Sequence, residues 1–338
     1  MNRYITYGLL WSVSLLAGCT GMKHITSADP LFTGQTISYA DQQAEKSKLD
    51  PVLRSTFKTE PNKKFLWMRP ALARYHMLSD SAKTRKFWRK KIHPPVLLSE
   101  TKPQQVVAAM HDRLFQLGYF QNSVSFDTLY AGSRKAKYEY TIEHRQSYTI
   151  SAVTYPIPQN DLTQKIYDAR DGSLLKTGNP YTLDVIKSER ERIDSELKDK
   201  GYVYFSPDFI MMRADSTTGD HQVRIAVSIK PETPLESRTP FTIRNVYVHD
   251  DNLLEASEQD TFTYGGFYLI TRQNTIDFSA LQPGIFLKPG ELYSRSNYLH
   301  TVRYLSDLPI IRNVNIKFLP IAGTNQLDVI IFMTQRKR

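Results

Sequence analysis

Cysteine is almost missing from this chain. Cys19 is the only one in 338 residues, so no disulfide can form within it and its stability must come from ordinary apolar cores. Metal-ligand spacing is missing too. The eight histidines, His24, His76, His93, His111, His144, His221, His249 and His300, are scattered and form no HExxH or comparable pattern. No Gly-x-Ser-x-Gly elbow occurs, and Gly265-Gly266 stands outside any phosphate-loop frame. These gaps leave no catalytic residue, cofactor-binding residue or metal site to assign. His111 reads as a ligand or as an ordinary half-buried histidine. Asp250-Asp251 and Asp168 with Asp171 read as calcium ligands or as turn residues.

The one cysteine stands in a telling place. Met1 to Gly18 has Arg3 at its positive end and a mostly apolar stretch from Ile5 to Leu16, too short for a stable membrane span. It closes on Leu16-Ala17-Gly18-Cys19, which resembles the lipobox of bacterial lipoproteins. That chemistry needs small residues before the cut and a thiol at the new terminus to receive diacylglycerol. The resemblance implies lipidation at Cys19 and export. The formal charge of +10 falls to +9 once Arg3 leaves with the signal, and in an exported chain this balance does not argue for a nucleic-acid partner. Thr20 follows the cysteine with no acidic cluster behind it, which implies the outer membrane as destination, with the soluble part in the periplasm. Three acyl chains would hold the protein there.

The chain also repeats itself. Leu175, Lys176, Gly178 and Tyr181 match Leu287, Lys288, Gly290 and Tyr293 at a constant offset of 112. After the first set, Ile186, Arg190, Ile193 and Leu197 make a helical stripe with charges on the other faces. Asp184 can cap that helix, Glu196 and Lys200 are spaced to pair along it, and Gly201 ends it. Tyr202 to Met212 is rich in residues that suit a strand. Val107, Met110, Leu114 and Leu117 repeat the stripe earlier, ending at Gly118. Three units are expected, each ordered strand, helical region, helix, strand, strand.

The strands of the first unit are expected at Leu31–Ala40, Ser123–Tyr130 and Lys137–Glu143. Asp41 to Phe57 reads as a weakly helical insertion broken by Pro51. The second unit opens at Tyr148–Tyr155 and closes at Val223–Lys230. Pro231 to Pro240 is a linker. The third opens at Phe241–His249, detours through a polar and aromatic insertion to Pro283, and closes at Val314–Phe318 and Leu327–Met333. The fold class is therefore α+β, with small three-stranded sheets covered by helices. The division is a signal peptide 1–18, a tether 19–30, and domains 31–146, 147–231 and 240–335. The first domain carries a basic and aromatic insertion. Within it Arg85, Lys86, Trp88, Arg89 and Lys90 read as a membrane-facing patch or as a solvated helix face beside core aromatics.

That order, with LKTGNPY and LKPGELY before the last helix and LGYF or KGYVYF after it, resembles the POTRA (polypeptide-transport-associated) domain. The lipobox, PNKKFLW, PPVLL and SERERIDSELKDKGYVYFSPDFI together resemble the translocation and assembly module lipoprotein family, relatives of the BamA/TamA-type barrel-assembly proteins. The resemblance implies a non-enzymatic outer-membrane assembly factor whose partners are outer-membrane client proteins and other assembly subunits. It also implies a membrane β-barrel after the last domain, for which no alternating strands follow in this sequence.

A small sheet covered by helices on one face leaves an edge strand that can take up a client strand by β-augmentation. Val314, Asn315, Ile316, Lys317 and Phe318 alternate as a half-buried strand should, and read either as that edge or as a silent core strand. The alternative from another class is an exported lipoprotein enzyme acting on cell-wall material. A deep cleft with convergent carboxylates distinguishes it from three small sheets with shallow surfaces.

Overall fold

The computed structural model describes residues 22, 25–41, 45–62, 69, 72, 75, 94–217, 219–249, 260–271 and 278–336. The chain divides into two compact units, 1–148 and 149–338. Among the described residues no helix is long and apolar enough to cross a membrane.

The first unit holds β1 (Leu31–Tyr39), α1 (Lys46–Arg54), α2 (Pro103–Gln116), β2 (Asn122–Tyr130) and β3 (Lys135–His144). The strand order is β1-β3-β2, with β1 parallel and β2 antiparallel to the central β3. Pro103 starts α2 at a position where its missing N–H costs nothing. Gly118, at φ +86°, turns the chain out of the helix while Tyr119 N–H reaches back to Leu114 O at 3.0 Å. Met110 and Leu114 from the expected stripe are fully buried against Phe32, Tyr138, Tyr140 and Ile142. Pro51 does not break the polar segment. It lies inside α1, where the fully buried Leu49 and Leu53 anchor the helix to the same core. Packing outweighs the one hydrogen bond that a proline forfeits.

The second unit contains two sheets. In the first of them β4 (Thr149–Thr154), α3 (Asp161–Asp168), α4 (Leu183–Lys198), β5 (Ile210–Asp215) and β6 (Gln222–Ile229) give the order β4-β6-β5. The cap of α4 is Thr182, whose Oγ1 accepts from Val185 N–H at 3.2 Å, and Asp184 sits in the first turn instead. The expected strand at Tyr202–Met212 begins only at Ile210. Ser206 and Pro207 open a short 3-10 turn, and Tyr202 and Phe205, ahead of that turn, fill the core.

The second sheet of this unit has five strands. β7 (Thr242–His249), α5 (Phe278–Leu281), α6 (Arg295–Asp307), β10 (Ile311–Pro320) and β11 (Gln326–Gln335) repeat the same plan. The expected insertion adds β8 (Asp260–Tyr264) and β9 (Phe267–Thr271), a hairpin closed by Gly265 and Gly266 at φ +54° and +87°. The order is β10-β11-β7-β9-β8. All three sheets therefore place their last strand between the first and the second of the plan; the order of elements along the chain is the expected one, while the third sheet has five strands where three were expected.

Candidate functional site

The stretch Val314–Phe318 lies in the middle of β10. Val314, Ile316 and Phe318 point toward the helix-covered core, where Phe318 meets Tyr293 edge-on at 5.1 Å and Tyr298 at 5.7 Å. Asn313, Asn315 and Lys317 are exposed on the opposite face. The sequence pattern dictates this: a period of two puts one set of side chains inside and leaves the other in water.

β10 is paired with β11 from Ile311 opposite Gln335 to Pro320 opposite Leu327, with one register shift between Ile311 and Asn313. Its other side has no neighbour among the described residues. In an antiparallel pair, alternate residues turn their N–H and C=O away from the partner, so ten residues leave a row of backbone donors and acceptors along this edge. The run IRNVNIKFLP has two cations and no carboxylate. Lys317 is drawn over the Phe332 ring, 5.4 Å from its centroid. Beyond Pro320 a shallow groove of about 430 Å³ is lined by Leu235, Phe241, Pro320, Ile321 and the 323–325 turn.

The opposite side of this sheet is different. β7, the first strand of the plan, would form the other edge, but β9 runs parallel to it from Val246–Phe267 to His249–Ile270. Phe267, Leu269 and Thr271 are buried there, so the hairpin is part of the core rather than a loose flap. In the sheets without such a hairpin the first strand is an edge, and a turn clips its start. Gly178 N–H donates to Ile150 O at 2.8 Å, and Ile150 N–H to Asn179 O at 2.8 Å. β1 is clipped by Asn62, whose Nδ2 donates to Phe32 O and Val96 O at 2.7 Å each, while its Oδ1 accepts from Val96 N–H at 3.1 Å.

Sequence reasoning missed the buried carboxylates of α4. Glu189 and Asp194 lie inside, at 0% and 2% exposure, on faces that the charge pattern assigned to solvent. Glu189 accepts from Arg192 Nε at 2.8 Å and Nη2 at 2.7 Å, from Tyr155 OH at 3.2 Å and from Leu174 N–H at 2.9 Å. Burial alone would raise its pKa, but the Arg192 guanidinium and the Leu174 N–H outweigh it and hold the carboxyl below its usual value. Burial pushes the Tyr155 hydroxyl up to about 12. The fork ties Leu174, the residue before LKTG, to the helix, and Arg192 also bonds Glu196, which the spacing had assigned to Lys200. The signal available in the sequence was the Glu189–Arg192 pair at i,i+3.

Cys19, and Arg85, Lys86, Trp88, Arg89 and Lys90, lie outside the described residues, as do Asp250 and Asp251. His111 is half-exposed on α2, its Nδ1 3.7 Å from Asp112. Asp168 accepts from Gln164 at 2.7 Å, and Asp171 lies 3.5 Å from Arg170. Among the described residues no group of three His, Cys, Asp or Glu could hold a metal ion.

By fold the chain is similar to POTRA domains 3–5 of BamA from Haemophilus influenzae, at 12% identity over 90% of this chain and 96% of that one, with a TM-score of 0.45. It is also similar to POTRA domains 1–3 of the periplasmic domain of Omp85 from Anabaena, at 12% identity, 91% and 96% coverage and a TM-score of 0.29. The N-terminal domain of Omp85 from Thermosynechococcus elongatus gives 14% identity, 92% and 99% coverage and a TM-score of 0.29. No family model matches the sequence, and no curated protein does.

Proposed function

We propose that this chain is the lipid-anchored periplasmic POTRA module of an outer-membrane protein assembly or translocation factor, and that it works by binding rather than by catalysis. In this reading the domains are 31–146, 147–231 and 240–335, and Cys19 carries the lipid that holds them to the outer membrane. Arg85, Lys86, Trp88, Arg89 and Lys90 are then the residues to place against anionic headgroups. Client polypeptides or assembly partners add a strand to β10. The observation that carries the reading is that β10 pairs, among the described residues, with β11 alone, on a sheet whose first strand is covered by its own hairpin. Backbone pairing tolerates many side chains, which suits a receptor for varied clients.

Photo-crosslinkers at Asn315 and Lys317, with Arg303 on α6 as control, test this. Adducts with unfolded outer-membrane proteins or an assembly partner are expected from the two strand positions. Equal or stronger labelling from Arg303 would remove β10 from the account.

A further inference from the structure

Asp199, the residue after α4, caps a different helix. Its carboxylate accepts from Ser296 N–H at 2.7 Å, from Ser296 Oγ at 2.8 Å and from Ser294 Oγ at 2.8 Å, all at the start of α6. Ser294 is itself the N-cap of α6, its Oγ accepting from Asn297 N–H at 3.2 Å. The first turn of α6 is thus satisfied once from its own sequence and once from the preceding repeat. An anion placed at the positive end of a helix dipole is stabilised there. Partial burial would raise the Asp199 pKa, but the Ser296 N–H and the two hydroxyls outweigh it and hold the carboxyl below its usual value.

A second contact lies one turn back on α4. Asp194, almost fully buried, accepts from Lys198 Nζ at 2.9 Å, and Arg295 Nη1 approaches the same oxygen at 3.4 Å and Ser195 Oγ at 3.3 Å. The other carboxylate oxygen has no hydrogen-bond partner. Burial pushes this carboxyl above its usual range against the pull of Lys198 and Arg295.

Backbone and apolar contacts close the other side of the joint. Gly201 O accepts from Phe241 N–H at 2.9 Å, and a Cβ on Gly201 would meet Pro240 at 3.0 Å and Leu292 at 3.1 Å. Val203 and Tyr204 pack on the core of the five-stranded sheet, with the Tyr204 and Phe241 rings edge-on at 5.2 Å. The expected linker is no slack tether. Thr233 and Ser237 are buried in it, and Arg238 donates to Thr233 O at 2.9 Å and Pro231 O at 2.6 Å.

Neighbouring domains on one chain ordinarily move relative to each other. Here they are joined twice, through α4 and α6 and through Gly201 and Phe241, and two separated attachments leave no single pivot. We infer that the repeat ending at β6 and the repeat beginning at β7 form one rigid body, and that the Asp194/Asp199–Arg295/Ser296 latch sets the angle between them. Counted back from the helix-ending glycine, α2 carries His111 and Gln116 where α4 carries Asp194 and Asp199, so the latch is particular to α4. The inference stands whether or not β10 accepts a strand.

Pulsed dipolar spectroscopy on the full chain tests it, with Cys19→Ser as background and spin labels at Gln164→Cys on α3 and Arg303→Cys on α6. The parent is expected to give one narrow distance distribution. Asp199→Ala combined with Arg295→Ala should broaden it, and Asp199→Asn, which keeps an acceptor oxygen, should broaden it less. Amide exchange in β6 and β11 should stay protected, because none of these changes enters either apolar core. If the double variant unfolds, Ser296→Ala is read in its place. A parent distribution that is already broad, or a folded latch variant as narrow as the parent, would overturn the rigid joint.

Discussion

Gly178 and Gly290, 112 residues apart, do the same job in two sheets. Each donates its N–H to the carbonyl of an isoleucine in the first strand, Ile150 at 2.8 Å and Ile243 at 2.7 Å. Both sit at positive φ, +87° and +83°, with no atom within 4 Å of where a Cβ would stand. The repeated letters LK-x-G are therefore a repeated hydrogen bond.

Gly178→Ala and Gly290→Ala should each cost about 1 kcal/mol, from backbone conformation alone. Gly201→Val should cost more, because its φ of +99° is combined with contacts at 3.0 and 3.1 Å. Urea midpoints compare the three. A Gly201→Val midpoint equal to that of Gly178→Ala would show that the Pro240 and Leu292 contacts yield freely.

Removing Glu189 should be far costlier. Glu189→Ala leaves the Arg192 guanidinium without its buried partner, and breaking such a pair by one member costs roughly 3–5 kcal/mol. The same group sets an acid limit. Its folded pKa lies below the reference value of 4.5, so its contribution is fully present above that value and is lost as pH falls through the folded pKa. Thermal melts from pH 7 to pH 3 should show this acid loss in the parent and a shallower one in Glu189→Gln. Parallel profiles would exclude Glu189 as its source.

Asp194 has the opposite sign. Its carboxyl is raised by burial, so protonation on acidification relieves a penalty that is present at neutral pH. Asp194→Asn should therefore differ most from the parent at neutral pH and converge with it in acid. A difference that grows on acidification would contradict the burial-dominated shift.

Asn62 stands in for a missing strand beside Phe32 and Val96. Asn62→Ala leaves the Val96 N–H without its acceptor, at about 1–3 kcal/mol, while Phe32 O keeps the Asn62 backbone N–H and Val96 O keeps the Phe32 N–H. Faster amide exchange is expected at Val96, whose N–H bonds the Asn62 side chain, and not at Phe32, whose N–H bonds Val96 O. Unchanged exchange would mean that water replaces the side chain without loss.

Cys19→Ala should release the protein from the membrane fraction. Retention in the pellet through alkaline washing would rule out the lipid anchor.

The element order along the chain and the repeat were legible because alternation and helix-ending glycines are local signals. Met110, Leu114, Ile193 and Leu197 are buried at the spacing that predicted them. The run SERERIDSELKDK hid Glu189 and Asp194, because a carboxylate paired through the fold has the same letters as one in solvent. The β8–β9 hairpin was read only as a polar and aromatic insertion, although TFTYGGFYLI flanks two glycines with aromatic residues. Its place in the sheet had no local signal, since nothing in those letters says that β9 lies against β7. Pairing over that range is decided by the tertiary core.

In each sheet the first strand runs parallel to the last. Leu31 faces Lys135, Thr149 faces Gln222 and Thr242 faces Gln326, across spans of 104, 73 and 84 residues. No sheet can close before its final strand exists. The entropy of closing the longest and the shortest of these spans differs by only about 0.3 kcal/mol, too little to rank them. A chain appearing from its amino end therefore completes its sheets in the order in which Lys135, Gln222 and Gln326 emerge, and of the three opening strands β7 alone can first take a parallel strand partner, β9, before its final strand exists.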